Sequence, residues 1–172
     1  MLMNDEEIGL FPFDEEDSRQ YLEWVNQEEF TSFLGRCLPV TKSEHDAWYQ
    51  NIIRSSGSVV FAVKTVEERR YLGNVWLHNI HWINRNAELR IFLGGAQSRG
   101  YGTRASKLLL KFAFEKLGLH KVYLYVSAAN PRACRAFEKA GFTEEGNLRD
   151  EFFVDGRFVD VKRMAVVQRP AV

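Results

Sequence analysis

Two short stretches hold residue types whose spacing suits them to chemistry. In Gln97-Ser98-Arg99-Gly100-Tyr101-Gly102-Thr103, two residues without side chains precede a helical pattern. The unpaired N–H groups and the positive dipole end of that helix can therefore face an approaching anion. A pyrophosphate fits such a cradle. The segment lacks the Gly-Lys-Ser/Thr ending of a P-loop, so backbone amides rather than a lysine would do the holding. Further on, Asn130-Pro131-Arg132-Ala133-Cys134-Arg135-Ala136-Phe137-Glu138-Lys139-Ala140-Gly141-Phe142 is a helix opened by Asn130 and closed by Gly141. Asn130, Cys134 and Phe137 fall at i, i+4 and i+7, on one face of it.

The cradle needs a strand before it and a helix after it. Ala87–Leu93 supplies the strand: Glu88, Arg90 and Phe92 alternate with Leu89, Ile91 and Leu93, which sends the two sets to opposite faces of a sheet. Ala105, Leu108, Leu109, Phe112 and Ala113 recur at helical spacing, so a helix running from near Thr103 to near Gly118 has a broad buried face. Upstream, Ile8–Phe13 is a short strand. Asp14 or Asp17 caps a helix through Tyr21, Leu22, Trp24 and Val25, and Ser43 caps another through Ala47, Trp48, Ile52 and Ile53. The β-runs Ser58–Val66 and Tyr71–Ile83 join Ala87–Leu93 in an antiparallel meander. Downstream, Val122–Ser127 is a buried strand, and Phe142–Val167 is two strands turning at Asp155-Gly156. The predicted order is β-α-α-β-β-β-α-β-α-β-β. It is of α/β (α+β) class, a mixed central sheet of about seven strands with flanking helices.

The 172 residues, 45% of them hydrophobic, suffice for one domain, 1–172, with a sizeable core. Cys37 and Cys134 are too few for a disulfide framework, and their neighbours offer no metal-ligand spacing. No metal is expected. No apolar run reaches transmembrane length and the first residues are acidic, so the expectation is a cytoplasmic protein without a membrane partner. Zero net charge hides an asymmetry: residues 1–60 carry twelve Asp and Glu against four Lys and Arg, and residues 61–172 carry eleven against nineteen. A basic half holding the phosphate cradle and an acidic half elsewhere suit a polyanionic cofactor meeting a cationic acceptor. The interleaved signs argue against nucleic acid.

The element order, the Gln97-x-x-Gly100-x-Gly102 segment and the Asn130-Pro131 to Gly141-Phe142 segment together resemble the GNAT acetyltransferase superfamily, over nearly the whole chain. Glu145-Gly146-Asn147-Leu148-Arg149, followed by the run Phe153–Val161, is similar to one branch of it. That branch holds ribosomal-protein alanine, bacterial spermidine and amino-sugar acetyltransferases. Glu23-Trp24-Val25-Asn26 and Glu44-His45-Asp46-Ala47-Trp48 look most like enzymes acting on nucleotide-linked amino sugars. Leu119-His120-Lys121-Val122-Tyr123-Leu124 and Asp160-Val161-Lys162-Arg163-Met164 resemble the spermidine enzymes.

The resemblance implies direct acetyl transfer from acetyl-coenzyme A to a primary amine, with no covalent acyl-enzyme. It places the cofactor pyrophosphate on Gln97, Ser98, Arg99, Gly100, Tyr101, Gly102 and Thr103. The pantetheine arm would run along Ile91, Phe92 and Leu93 and meet Asn130, Arg135 and Phe137. A backbone N–H near Phe92 or Leu93 would stabilise the developing oxyanion. Glu88 is the first candidate to take the amine's proton, followed by His78 and His81. Substrate contacts are expected from Trp24, Glu28, Glu29, His45, Trp48 and His78. Aromatic and basic groups at Trp24, Trp48 and Arg36 would suit a sugar nucleotide, and the carboxylates of Asp14–Asp17 and Glu23–Glu29 a polyamine. Many relatives carry tyrosine where this chain has Phe137, and that hydroxyl is held to protonate the leaving thiolate; phenylalanine cannot. Three functions stay open: small-amine N-acetyltransferase, protein N-terminal acetyltransferase, and a non-catalytic acetyl-coenzyme A or amine sensor. A homodimer is one assembly the family allows.

Overall fold

Side chains at the helix starts decide where most helices of this protein begin. The computed structural model describes residues 1–31, 38–94 and 99–168. Asp14 accepts hydrogen bonds from the amides of Glu16 and Asp17, and Asp17 reaches back to the Asp14 amide. This capping box opens α1, Glu15–Val25. Helix α2, Glu28–Thr31, follows directly. Helix α3, Lys42–Arg54, opens on a Thr41–Glu44 box, so Thr41 is the cap and the expected Ser43 lies inside the helix. The deciding partner is Glu44, which stands three residues after Thr41 and one after Ser43. Helix α5, Pro131–Ala140, is capped by Asn130, whose Oδ1 accepts from the Ala133 amide at 3.0 Å. Helix α4, Tyr101–Glu115, differs from these three: Gly100 stands at its N-cap with φ 74° and no side-chain cap.

The strands are β1 Met3–Asn4, β2 Ile8–Pro12, β3 Val59–Thr65, β4 Tyr71–His81, β5 Asn86–Leu93, β6 Lys121–Ser127, β7 Thr143–Val154 and β8 Arg157–Val167. They form one sheet in the order β1-β2-β3-β4-β5-β6-β8-β7. The sheet has eight strands rather than about seven. The added one, β1, is a two-residue pairing with Leu10 and Gly9, too short to show any alternation in sequence. Every pairing is antiparallel except β5 with β6, as a helical crossover through α4 requires.

Helices cover both faces. On one, Leu89 of β5, Val122 and Leu124 of β6 and Met164 of β8 pack against Leu108, Leu109, Phe112 and Ala113 of α4. On the other, Phe92 and Trp76 pack with Tyr21 and Val25 of α1, Phe30 of α2 and Tyr49 and Ile52 of α3. The strict alternation of β5 therefore serves two cores at once.

One discontinuity in the sheet matters most. The parallel pairing of β5 with β6 covers only Asn86–Glu88 against Lys121–Tyr123. Beyond it, among the described residues, Leu89–Leu93 keep β4 as their only partner and Leu124–Ser127 keep β8. The two strands splay, leaving a backbone edge of β5 open.

Candidate active site

The open edge of β5 ends beside the uncapped helix. Among the described residues outside the helix itself, the nearest heavy atom to the Cβ position of Gly102 is Leu93 Cδ1, at 4.0 Å, so the first turn of α4 adjoins the end of β5. Thr103 Oγ1 donates to the Ala136 carbonyl at 3.1 Å, tying the same turn to α5. Among the described residues no side chain caps the first turn of α4, and no acidic residue stands in it. A helix start of this kind favours an anion. The open strand edge, the bare helix start and the space at Gly102 fit a long ligand with a phosphate end and an extended amide-bearing arm.

Of the cradle residues, Gln97 and Ser98 lie outside the described residues, as do Arg36 and Cys37. Arg99 and Gly100 are exposed. Tyr101 offers only its backbone, because its ring is buried among the α4 core residues. Arg135 is exposed on α5. Phe137 packs edge-on against Phe142, with centroids 5.8 Å apart. One turn earlier on α5, the buried Cys134 thiol lies 3.8 Å from the Ser127 carbonyl, at the end of β6.

Glu88 is buried beneath the face shared with Phe92. Its register partners are His78 on β4 and Tyr123 on β6. Both carboxylate oxygens are engaged by Arg90, from Nε at 2.7 Å and Nη2 at 3.2 Å. This i, i+2 pair follows from the strand alternation, yet Arg90 was not among the residues expected at the site. Glu88 precedes Phe92 by four residues, about 13 Å at roughly 3.3 Å per residue, so a proton would travel between the two ends by way of water. Burial, and then the Arg90 charge, push the His78 imidazole below its ordinary value, with Glu88 opposing. His78 is thereby kept neutral near pH 7, with Nδ1 3.2 Å from Ser58 Oγ. Burial, followed by the Glu88 charge, pushes the Tyr123 phenol up. Arg163 lies over the Tyr123 ring, its guanidinium carbon 4.3 Å from the centroid. Tyr123 was missed as a neighbour of Glu88, and Arg163 as the cation over its ring, although Lys121, Tyr123 and Tyr125 alternate with Val122, Leu124 and Val126.

The expected substrate residues divide. Trp24 stacks on Tyr71 at 5.2 Å and 6° and covers Gly94, where any Cβ would overlap its ring. Helix α1 thus seats on the end of β5. Phe30 meets Phe92 edge-on at 5.3 Å, so Glu28 and Glu29, exposed at the start of α2, form an acidic rim close to that strand end. Trp48 stacks on Tyr21 at 5.3 Å and 17°. His45 is 3% exposed and its Nε2 lies 2.8 Å from Ser18 Oγ, so it joins α3 to α1. Burial pushes its imidazole below the ordinary value. Among the described residues, no cluster of three or more His, Cys, Asp or Glu could hold a metal ion, and no helix is long and apolar enough to cross a membrane.

A splayed parallel strand pair beside an uncapped glycine-led helix defines an acetyltransferase-type cofactor cleft. Comparison with known proteins agrees: the model of the acetyltransferase (GNAT) domain family matches residues 7–143. The chain belongs to the GNAT acetyltransferase family. It is 33% identical over 153 residues to a spermidine N(1)-acetyltransferase of Vibrio cholerae, covering 88% of this chain and 83% of that one. The crystal structure of a Vibrio cholerae spermidine N-acetyltransferase in complex with CoA and spermine superposes with a TM-score of 0.89 at 31% identity, over 95% of this chain and 97% of that one. A dodecameric structure of spermidine N-acetyltransferase from the same organism gives 0.81 at 30%, over 95% of each chain. The protein is an acetyl-coenzyme A-dependent N-acetyltransferase.

Proposed function

We propose that this acetyltransferase acts on a polyamine. The observation that carries the reading is the acidic α1–α2 segment, with Glu28 and Glu29 beside Phe30 and Phe30 against Phe92. The spermidine enzymes to which the chain is similar support the same class of acceptor. A sugar nucleotide is less well served, because Trp24 and Trp48, the rings it would stack on, are already stacked on Tyr71 and Tyr21.

Acetyl-coenzyme A supplies the activated acetyl group when bound. In this reading the Tyr101, Gly102 and Thr103 amides hold its pyrophosphate, and the open edge of β5 at Ile91, Phe92 and Leu93 pairs with its amide-bearing arm. An N–H near Phe92 or Leu93 steadies negative charge on the carbonyl oxygen. Asn130, Arg135 and Phe137 border the arm from α5. Glu28 and Glu29 draw the cation in and Trp24 walls the entrance. His78, neutral near pH 7, and Glu88 take up the proton that the amine releases through water, the carboxylate only in competition with Arg90.

A thiol-release assay against spermidine, a nucleotide-linked amino sugar and an N-terminal peptide tests the acceptor. Spermidine is expected to be turned over with the highest kcat/KM. No turnover of any acceptor, with acetyl-coenzyme A still bound, would point to the sensor reading. Glu28→Gln with Glu29→Gln should raise the KM for spermidine about two- to tenfold, since exposed charge pairs are each worth roughly 0.2–1 kcal/mol. The salt dependence of KM should weaken with it. Unchanged KM and salt response would remove the acidic rim from the mechanism.

The chain is further proposed to assemble with copies of itself. Phe153 and Phe158 stand 63% and 66% exposed at the tip of the β7–β8 hairpin, with ring centroids 5.1 Å apart, an apolar surface of the kind contacts cover. The dodecameric relative supports this. Phe153→Ser with Phe158→Ser should lower the sedimenting mass; an unchanged mass would place the contact elsewhere.

A further inference from the structure

His45 is buried, titratable and unused by the chemistry above. From α3 its ring faces Trp48 at 5.4 Å and Tyr21 of α1 at 5.8 Å. Tyr21 in turn meets Phe92 edge-on at 5.1 Å and 85°. An unbroken line of contact therefore runs from His45 through Tyr21 to the strand end proposed to hold the thioester. The Ser18 hydroxyl, 5% exposed, fixes the ring's other side at Nε2. Hydrogen bond and ring contact together bind the first turn of α3 to α1 at Ser18 and Tyr21.

The surroundings suit an uncharged ring. The titratable groups around it among the described residues are Glu15, Arg19 and Tyr21 from α1 and Lys42, Asp46 and Tyr49 from α3. Asp46, whose charge favours the imidazolium, is already held by Lys42. Arg19 Nε donates to the Glu15 carbonyl. Burial outweighs the hydrogen bond with Ser18 and the Asp46 charge that favour the imidazolium, and the Lys42 charge adds to burial; the remaining cost of charging the ring is relieved when α1 and α3 part and water enters.

We propose that His45 is a positioning residue for acetyl transfer: as a neutral imidazole it clamps α1 to α3 and seats Tyr21 on Phe92, and its protonation opens the clamp and lowers turnover. This rests on the cleft assignment given above. The sign follows from linkage. Because burial lowers the folded-state value, the unfolded or opened state binds the proton more readily, so the clamp is fully stabilising above about pH 6.5 and weakens as pH falls below it.

The test is the pH profile of kcat/KM between pH 5 and 8 for wild type and His45→Gln, with near-UV circular dichroism of the aromatic cluster followed in parallel. Wild type should lose activity by about tenfold per pH unit on the acid side, and the dichroism should change at the same midpoint. His45→Gln should have a lower kcat at pH 7.5 but no acid transition in the dichroism. An acid transition that persists in His45→Gln would overturn the proposal. Should His45→Gln fail to fold, the wild-type His45 ring resonance decides: its midpoint must coincide with that of the dichroism, and a different midpoint overturns the clamp. Neither the dichroism nor the resonance needs an acceptor, so a wrong acceptor assignment and a wrong clamp assignment give separate signatures.

Discussion

Gly100→Val is expected to weaken acetyl-coenzyme A binding at least about tenfold, with a modest loss of stability. Two effects act together. Gly100 has φ 74°, in the left-handed region where an L-residue costs about 1–2 kcal/mol, and β-branching makes that worse. Among the described residues nothing lies within 4 Å of its Cβ position, so none of them adds a clash to the strain. The new side chain instead enters the open space before the Tyr101, Gly102 and Thr103 amides, where the pyrophosphate is proposed to sit. A tenfold loss corresponds to about 1.4 kcal/mol, less than one charge-assisted hydrogen bond to phosphate can contribute. Gly156→Val is the control: its φ of 80° imposes the same strain at a hairpin turn on another strand pair. Calorimetry should show affinity lost in the first variant and kept in the second, with comparable falls in Tm. Equal affinities in the two would mean that the cradle does not hold the phosphates.

The strand and the glycine-led helix around the proposed cradle were legible in sequence because their signals are local. Two glycines ahead of a helix, and a strand of alternating Glu88, Arg90, Phe92 and Leu89, Ile91, Leu93, need no knowledge of distant residues, and the structure keeps both the strand faces and the helix. The splay of β5 from β6 has no such local signal, since it depends on where pairing stops. Local signals also misled where two residues competed for one role. Thr41 and Ser43 are both good caps, and the choice between them turns on the reach of the Glu44 side chain. His45 was beyond such reasoning altogether. A histidine on an amphipathic helix has the same local pattern whether it faces substrate or a neighbouring helix, and only the packing of α1 against α3 shows that Ser18 is its partner. Arg90 marks the opposite case. Its place on the Glu88 face was explicit in the alternation, and what went unnoticed was the chemical consequence, a guanidinium competing for both oxygens of the proposed base.

Phe137→Tyr is expected to raise kcat, by about 10²-fold if thiolate protonation limits turnover, since a well-placed general acid contributes on that order. The position is suited to the test. Phe137 is half-buried on α5 with its ring edge-on to Phe142, one turn after Cys134, whose thiol marks the end of β6 at Ser127. That is the strand end from which β5 has splayed, and a phenol oxygen on the same helix face as Cys134 is proposed to stand near the mouth in which the cofactor sulfur would lie. The gain should be present while the phenol is protonated and disappear as pH approaches its ordinary value near 10. Acetyl-coenzyme A affinity should change little. The competing effect has the opposite sign and a different readout: a hydroxyl buried without a partner costs about 1–3 kcal/mol of stability, which a thermal melt detects without altering the pH dependence of kcat. A variant that folds with wild-type Tm and gives the same kcat at every pH would show that Phe137 is remote from the sulfur, or that the thiolate leaves without help. In either case the missing hydroxyl would have no bearing on the rate.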